Sequence, residues 1–213
     1  MSELAGTPAS VPPERRGTAL DVAQLPSFGF SHRSLMWWGT LGVMAIEGTV
    51  FAMVIMSYFY LRTNAADEWP LGVPVPGLLW GTLNVIILLV SGIPNHLAKK
   101  SAERYDLGTT RMWLVVCAAF AVAFVIVRLL EFTQLHCRWD SNAYGSVVWG
   151  LLGLHTLHLV TDLYDTVVLT ALFFTGPLES KRFVDVSENA VYWYFVVLAW
   201  LPIYAVIYWA PRL

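Results

Sequence analysis

Apolar residues in this chain gather into five long runs, roughly Leu35–Leu61, Leu78–Ala98, Met112–Phe132, Val147–Phe174 and Ala190–Trp209, separated by short polar stretches. Each meets the ~20 residues needed to cross a hydrocarbon core. The pattern therefore predicts an all-α polytopic membrane protein with five transmembrane helices in a bundle. The first and fourth runs exceed the required length and are expected to tilt. Residues 1–34 are polar and dotted with Pro8, Pro12, Pro13 and Pro26, so the organisation is an extended tail at 1–34 followed by a five-helix transmembrane domain at 35–213. Between the runs, residues 62–77 carry Trp69-Pro70, Gly72, Pro74, Pro76 and Gly77 and predict a stiff crossing, while 99–111 and 175–189 are short polar connections. No internal repeat is visible.

Composition narrows the class. With 57% hydrophobic and only 13% charged residues, a soluble domain would lack polar surface, and a net charge of −2 leaves no electrostatic footprint for nucleic acid. Cations lie unevenly. Arg15, Arg16, Arg33, Lys99, Lys100, Arg104, Arg111, Lys181 and Arg182 flank one side, against Arg62, Arg138 and Arg212 on the other. This asymmetry predicts a cytoplasmic N-terminus and an external C-terminus. The tail shows no cleavable signal, so the first helix is expected to act as its own insertion signal. It is too polar to fold alone and is expected to lie on a partner subunit. Every tryptophan but Trp200 falls near the end of a predicted span, where an indole sits half wet, and Trp200 is expected to pack inside. Cys117 and Cys137, the only cysteines, are placed on one helix ~30 Å apart at 1.5 Å per residue and cannot bridge.

Ionisable groups inside a membrane are costly, at ~2.5–3.5 kcal/mol each on insertion scales. Glu47 lies about 12 residues into its run, ~18 Å deep, where burial favours the neutral acid. Asn84, at comparable depth on the second helix, is the expected partner; the acid reads either as a protonated carboxyl hydrogen-bonded to a neighbouring helix or as a proton-exchanging or conformationally coupled group, which makes Glu47 and Asn84 a candidate intramembrane acid site for proton-uptake support. On the third helix Arg128 and Glu131 share a face, and on the fourth His155, His158, Asp162 and Asp165 fall within an arc of ~80°. Antiparallel packing of these helices predicts a polar cluster of Arg128, Glu131, His155, His158 and Asp162, binding a lipid headgroup or joining helices by hydrogen bonds. A metal or haem is the competing account. A di-iron bundle needs Glu-x-x-His pairs, which this chain lacks, and His155 and His158 on one helix cannot ligate both faces of a haem. Neither a broken-helix pair nor an inverted repeat marks a transporter. No catalytic, cofactor-binding or metal-binding residue is therefore assigned.

In order, the motifs resemble subunit III of the haem–copper terminal oxidases, the cytochrome c oxidase family. They are a mid-span Glu47 in a helix ending Tyr58-Phe59-Tyr60-Leu61-Arg62, then Trp69-Pro70, Leu83-Asn84, Leu130-Glu131-Phe132, Gly153-Leu154-His155-Thr156-Leu157-His158, and Glu188-Asn189-Ala190-Val191-Tyr192-Trp193 leading to Trp200 and Tyr208-Trp209. The resemblance covers Leu35–Trp209 and looks like a short, five-helix form of a subunit with seven helices elsewhere. It implies that Glu47 matches the family's carbodiimide-reactive glutamate, and that Glu131, His155 and His158 match its glutamate and paired histidines beside a lipid-filled cleft. Tyr194 and Val197 stand where the family usually has His and Asp.

The resemblance further implies an accessory subunit without a redox centre in a bacterial plasma membrane. Haem and copper belong to partner subunits, above all catalytic subunit I, with subunit II and other respiratory subunits nearby and phospholipids bound. Such a complex reduces oxygen to water with electrons from cytochrome c or quinol and pumps protons. Two alternatives stand beside it: an accessory protein of nitric oxide reductase systems, and a free-standing membrane haem or metal oxidoreductase.

Overall fold

The computed structural model describes residues 28–65, 69–177 and 179–213. Most of the tail, with its expected seat on a partner, lies outside the described residues. Five helices long and apolar enough to cross a membrane are present: α1 (Leu35–Asn64), α2 (Leu78–Glu103), α3 (Leu107–Thr133), α4 (Ala143–Thr175) and α5 (Ser180–Tyr204), the last continued by a π-helical turn (Ala205–Trp209) and a 3₁₀ turn (Ala210–Arg212). Short polar caps open three of them. Ser34 Oγ accepts from Trp37 N at 3.2 Å, Asp106 Oδ1 from Thr109 N at 3.3 Å and Asn142 Oδ1 from Gly145 N at 2.7 Å. Each satisfies an amide that the first helical turn leaves unpaired.

Several helices run past their apolar stretches. α5 begins at Ser180 instead of near Ala190, α2 reaches Glu103, and α3 starts at Leu107. The expected polar connections therefore shrink to residues 104–106 and 176–179. The physical reason is that Lys, Arg and Glu are good helix formers, and they pair along the added turns, Lys99 with Glu103 at 2.9 Å and Arg182 with Asp185 at 3.9 Å. Hydropathy registers where lipid begins; it does not register where a helix stops. Two placements change as a result. Trp193 is an interior residue, 5% exposed and donating to Ser91 Oγ at 2.9 Å. Cys137 lies beyond the end of α3 in a connecting segment, and both cysteines are free.

α5 is the packing centre. It lies against α1, α2 and α4, and its Trp200 and Ile203 are wholly buried, as is Ile207 in the turn that follows. Pro202 removes an amide that would have bonded the Leu198 carbonyl, and the chain widens into the π turn directly afterwards. That turn carries Tyr208 inward, where its ring rests on Gly81 of α2. A Cβ at Gly81 would lie 2.5 Å from Tyr208 Cζ, so no larger residue fits without displacement. Arg62 and Arg212 tie this end down by donating to the Ala210 and Pro76 carbonyls at 2.8 and 2.6 Å.

By contrast, α1 is peripheral. It buries only Phe51 and Tyr58, while Ile46, Met53 and Met56 are 68%, 64% and 69% exposed on its outward face. In lipid, apolar burial supplies little drive for helix association, so close packing and interhelical hydrogen bonds must hold the bundle.

Candidate functional site

Two polar clusters lie between the helices. The first centres on α3, whose Arg128 and Glu131, three residues apart, point into the bundle and are 0% and 1% exposed. Arg128 Nη1 donates to Glu131 Oε2 at 2.8 Å, and Asn84 of α2 donates to the same oxygen. Tyr208 of the π turn donates to Glu131 Oε1. On its other side Arg128 Nη2 donates to His155 Nδ1 of α4 at 3.3 Å, and His155 Nε2 donates to the Val196 carbonyl of α5 at 3.0 Å. These contacts assign the His155 ring its neutral tautomer with hydrogen on Nε2. The guanidinium carbon is 3.9 Å from the centre of the Trp200 ring and 4.9 Å from that of Phe124, a cation between two aromatic faces. Helices α2 to α5 thus meet on one carboxylate–guanidinium pair.

The second cluster joins α1 to the rest. Glu47 Oε2 accepts from Tyr192 OH of α5 at 2.9 Å, and Glu47 Oε1 is 3.3 Å from His158 Nε2 of α4. His158 Nδ1 donates to the Leu154 carbonyl at 2.7 Å. With Nδ1 carrying a hydrogen, one further proton fits between Nε2 and Oε1. A carboxylate oxygen facing a ring nitrogen at this distance is a geometry across which a proton can pass without moving heavy atoms. Their side chains are 23% and 11% exposed. Tyr192 also lines a cleft of about 580 Å³ between α1, α4 and α5 that opens at the N-terminal end of the bundle, with Thr40, Thr161, Asp165, Arg182, Asp185 and Glu188 along its wall.

The structure regroups several residues singled out in the sequence. Arg128, Glu131 and His155 come together. Asn84 does not reach Glu47; it bonds Glu131. His158 leaves the arginine cluster and supplies Glu47 with a basic neighbour. The His155–Asp165 stripe is split because α4 is wedged among three partners: His155 faces Arg128, His158 faces α1, Asp162 enters a separate buried chamber and Asp165 lines the cleft. Sequence reasoning missed Tyr192 and Tyr208. The available signal was a phenol within an apolar span, which requires a partner for its hydroxyl. Among the described residues no group of three or more His, Cys, Asp or Glu side chains could hold a metal ion.

Comparison with known proteins agrees with this arrangement. The family described as cytochrome c oxidase subunit III matches residues 36–211. The chain is 28% identical over 176 residues to the probable cytochrome c oxidase subunit 3 of Mycobacterium tuberculosis (strain ATCC 25618 / H37Rv), covering 80% of this chain and 85% of the relative. It is 29% identical over 179 residues to the corresponding protein of Nocardia farcinica, with coverage of 80% and 85%. Against cytochrome c oxidase subunit 3 of Synechocystis it is 24% identical over 180 residues, covering 83% and 76%. With five spans in the order that the motifs require and a match running from the start of α1 to the final turn, the chain belongs to the cytochrome c oxidase subunit III family.

Proposed function

We propose that this chain serves its oxidase complex as a redox-free support for the catalytic haem–copper subunit, feeding protons toward it and holding lipid and subunit contacts on its outward apolar faces. The carrying observation is the 3.3 Å approach of His158 Nε2 to Glu47 Oε1, with the Tyr192 hydroxyl joining Glu47 to an open cleft whose wall carries Asp165, Asp185 and Glu188 beside Arg182. A carboxyl and an imidazole able to share one proton form a short-term proton store, and Asp165 and Glu188, beside the Arg182–Asp185 pair, would raise the local concentration of cations at its mouth. On this reading the N-terminal end of the bundle, rimmed by Lys99, Lys100, Arg104 and Arg111, faces the cytoplasm. The Arg128–Glu131–His155 group is the interhelical clamp that keeps α2 to α5 in register. The chain holds no step of oxygen chemistry itself.

Glu47→Gln tests the proposal because it keeps size and hydrogen bonding but cannot carry the exchanging proton. In the assembled oxidase this variant is expected to keep most oxygen reduction while lowering protons pumped per electron or hastening inactivation during turnover. Complete loss of oxygen reduction in a fully assembled variant would place Glu47 in the reaction itself. Purification in mild detergent is expected to bring down a large haem–copper polypeptide with this chain, which has no haem of its own.

A further inference from the structure

A second polar chamber lies deeper than the cleft, enclosed by α2, α3, α4 and α5. Ser91, Asn95, Asp162, Thr166 and Asn189 form its polar wall, and its cavity of about 10 Å³ has room for a single water molecule. Asp162 is 2% exposed, and its Oδ1 has no hydrogen-bond partner. No Lys, Arg or His lines the chamber, so nothing in its wall balances a carboxylate charge. A carboxyl in a membrane interior without a cationic partner requires a proton or a bound cation.

One residue belongs to both spaces. Asn189 lines the chamber and the 580 Å³ cleft, and its Nδ2 donates to Thr166 Oγ1 at 2.9 Å, closing the wall between them. We propose that Asp162, one trapped water and Asn189 form a proton-binding site that fills from the cleft, with the Asn189 amide as its gate. When the amide swings off Thr166 a water enters. A proton then passes from hydronium in the cleft through that water to Asp162, forming an O–H bond at the carboxylate and leaving neutral water behind. The neighbouring titratable groups are Cys117 of α3, Asp165 on the same helix and Tyr192 of α5, whereas α2 presents only the neutral Ser91 and Asn95.

Infrared spectroscopy of the assembled oxidase, with carboxyl-¹³C aspartate incorporated, reads this site directly. The expected result is an aspartic-acid C=O band that is lost in Asp162→Asn, retained in Asp165→Asn, and shifted on transfer to heavy water. Asn189→Leu, which seals the wall with an apolar side chain, is expected to delay that shift while keeping the band. Absence of the band in the unsubstituted complex, or its survival in Asp162→Asn, would overturn the site. Loss of the band on adding sodium chloride but not choline chloride would show that a metal cation occupies the chamber. A shift of unchanged rate in Asn189→Leu would overturn the gate. Should Asp162→Asn not assemble, Asp162→Glu keeps a carboxyl and moves the band out of the aspartate-labelled set. The readout needs no turnover, so its failure is distinguishable from failure of the Glu47 reading.

Discussion

At the scale of single residues, the Arg128–Glu131 pair carries the most consequence per atom. Both groups are withdrawn from solvent, and among the described residues Glu131 is the only carboxylate within salt-bridge reach of the guanidinium. Glu131→Gln keeps an acceptor for Tyr208 but leaves Arg128 as an uncompensated buried charge, a change expected to cost about 3–5 kcal/mol. Asn84→Ala removes one neutral donor and is expected to cost ~0.6–1.7 kcal/mol. Denaturant titration of the assembled complex separates the two, and equal costs would mean that the arginine is balanced elsewhere. Much of this cluster was legible in the sequence, because Arg128 and Glu131 sit one helical turn apart and an intramembrane charge must find a partner. The partners were less legible. Asn84 and Glu47 have similar depth, yet depth does not say which face of α2 meets α1, and helix rotation gave Asn84 to Glu131. The Trp200 ring under Arg128 was anticipated only as an interior residue, since cation–π contact depends on the crossing of α3 and α5.

At the scale of helices, the five spans followed from run length alone, whereas their ends did not. Residues 180–189 are polar enough to resemble a loop, but they form the first turns of α5, and their acidic side chains wall the cleft. Polarity there marks a wet face of a helix. Gly81 of α2 fits tightly against Tyr208 of the π turn, and this leads to a specific expectation. Gly81→Ala should push the tyrosine ring aside, weaken its bond to Glu131 and cost about 1–3 kcal/mol through overpacking. The same substitution at Gly92 of α2, where nothing lies within 4 Å of an added Cβ, is the control and should be close to neutral. Thermal inactivation of the two variants in one detergent gives the comparison. Asp106, the exposed cap of α3, behaves differently. Hydrogen bonds from Thr109 hold its carboxyl below the ordinary value of 3.8, so its contribution is present above that pH and fades as the pH falls through the lowered value.

At the scale of the whole molecule, topology rests on the placement of cations, and it predicts that a cysteine introduced within residues 1–27 reacts with an impermeant reagent only from the cytoplasmic side. Labelling from the outside would invert the bundle and turn the cleft away from the proton supply. Of the two native thiols, Cys137 offers little background. Cys137 is 7% exposed, and burial pushes its thiol up, away from the reactive thiolate. A last consequence comes from the order in which the polar partners are synthesised. Glu47 meets Tyr192 across 145 residues of chain, and Glu131 meets Tyr208 across 77. Until the final helix and its π turn are in place, Glu47 lacks its Tyr192 donor, Glu131 has only Arg128 and Asn84, and Arg128 lacks the Trp200 face, so α5 completes both clusters. A chain stalled before that point leaves both clusters short of donors within lipid, so the bundle distinguishes a finished copy of itself from a fragment before any partner subunit meets it.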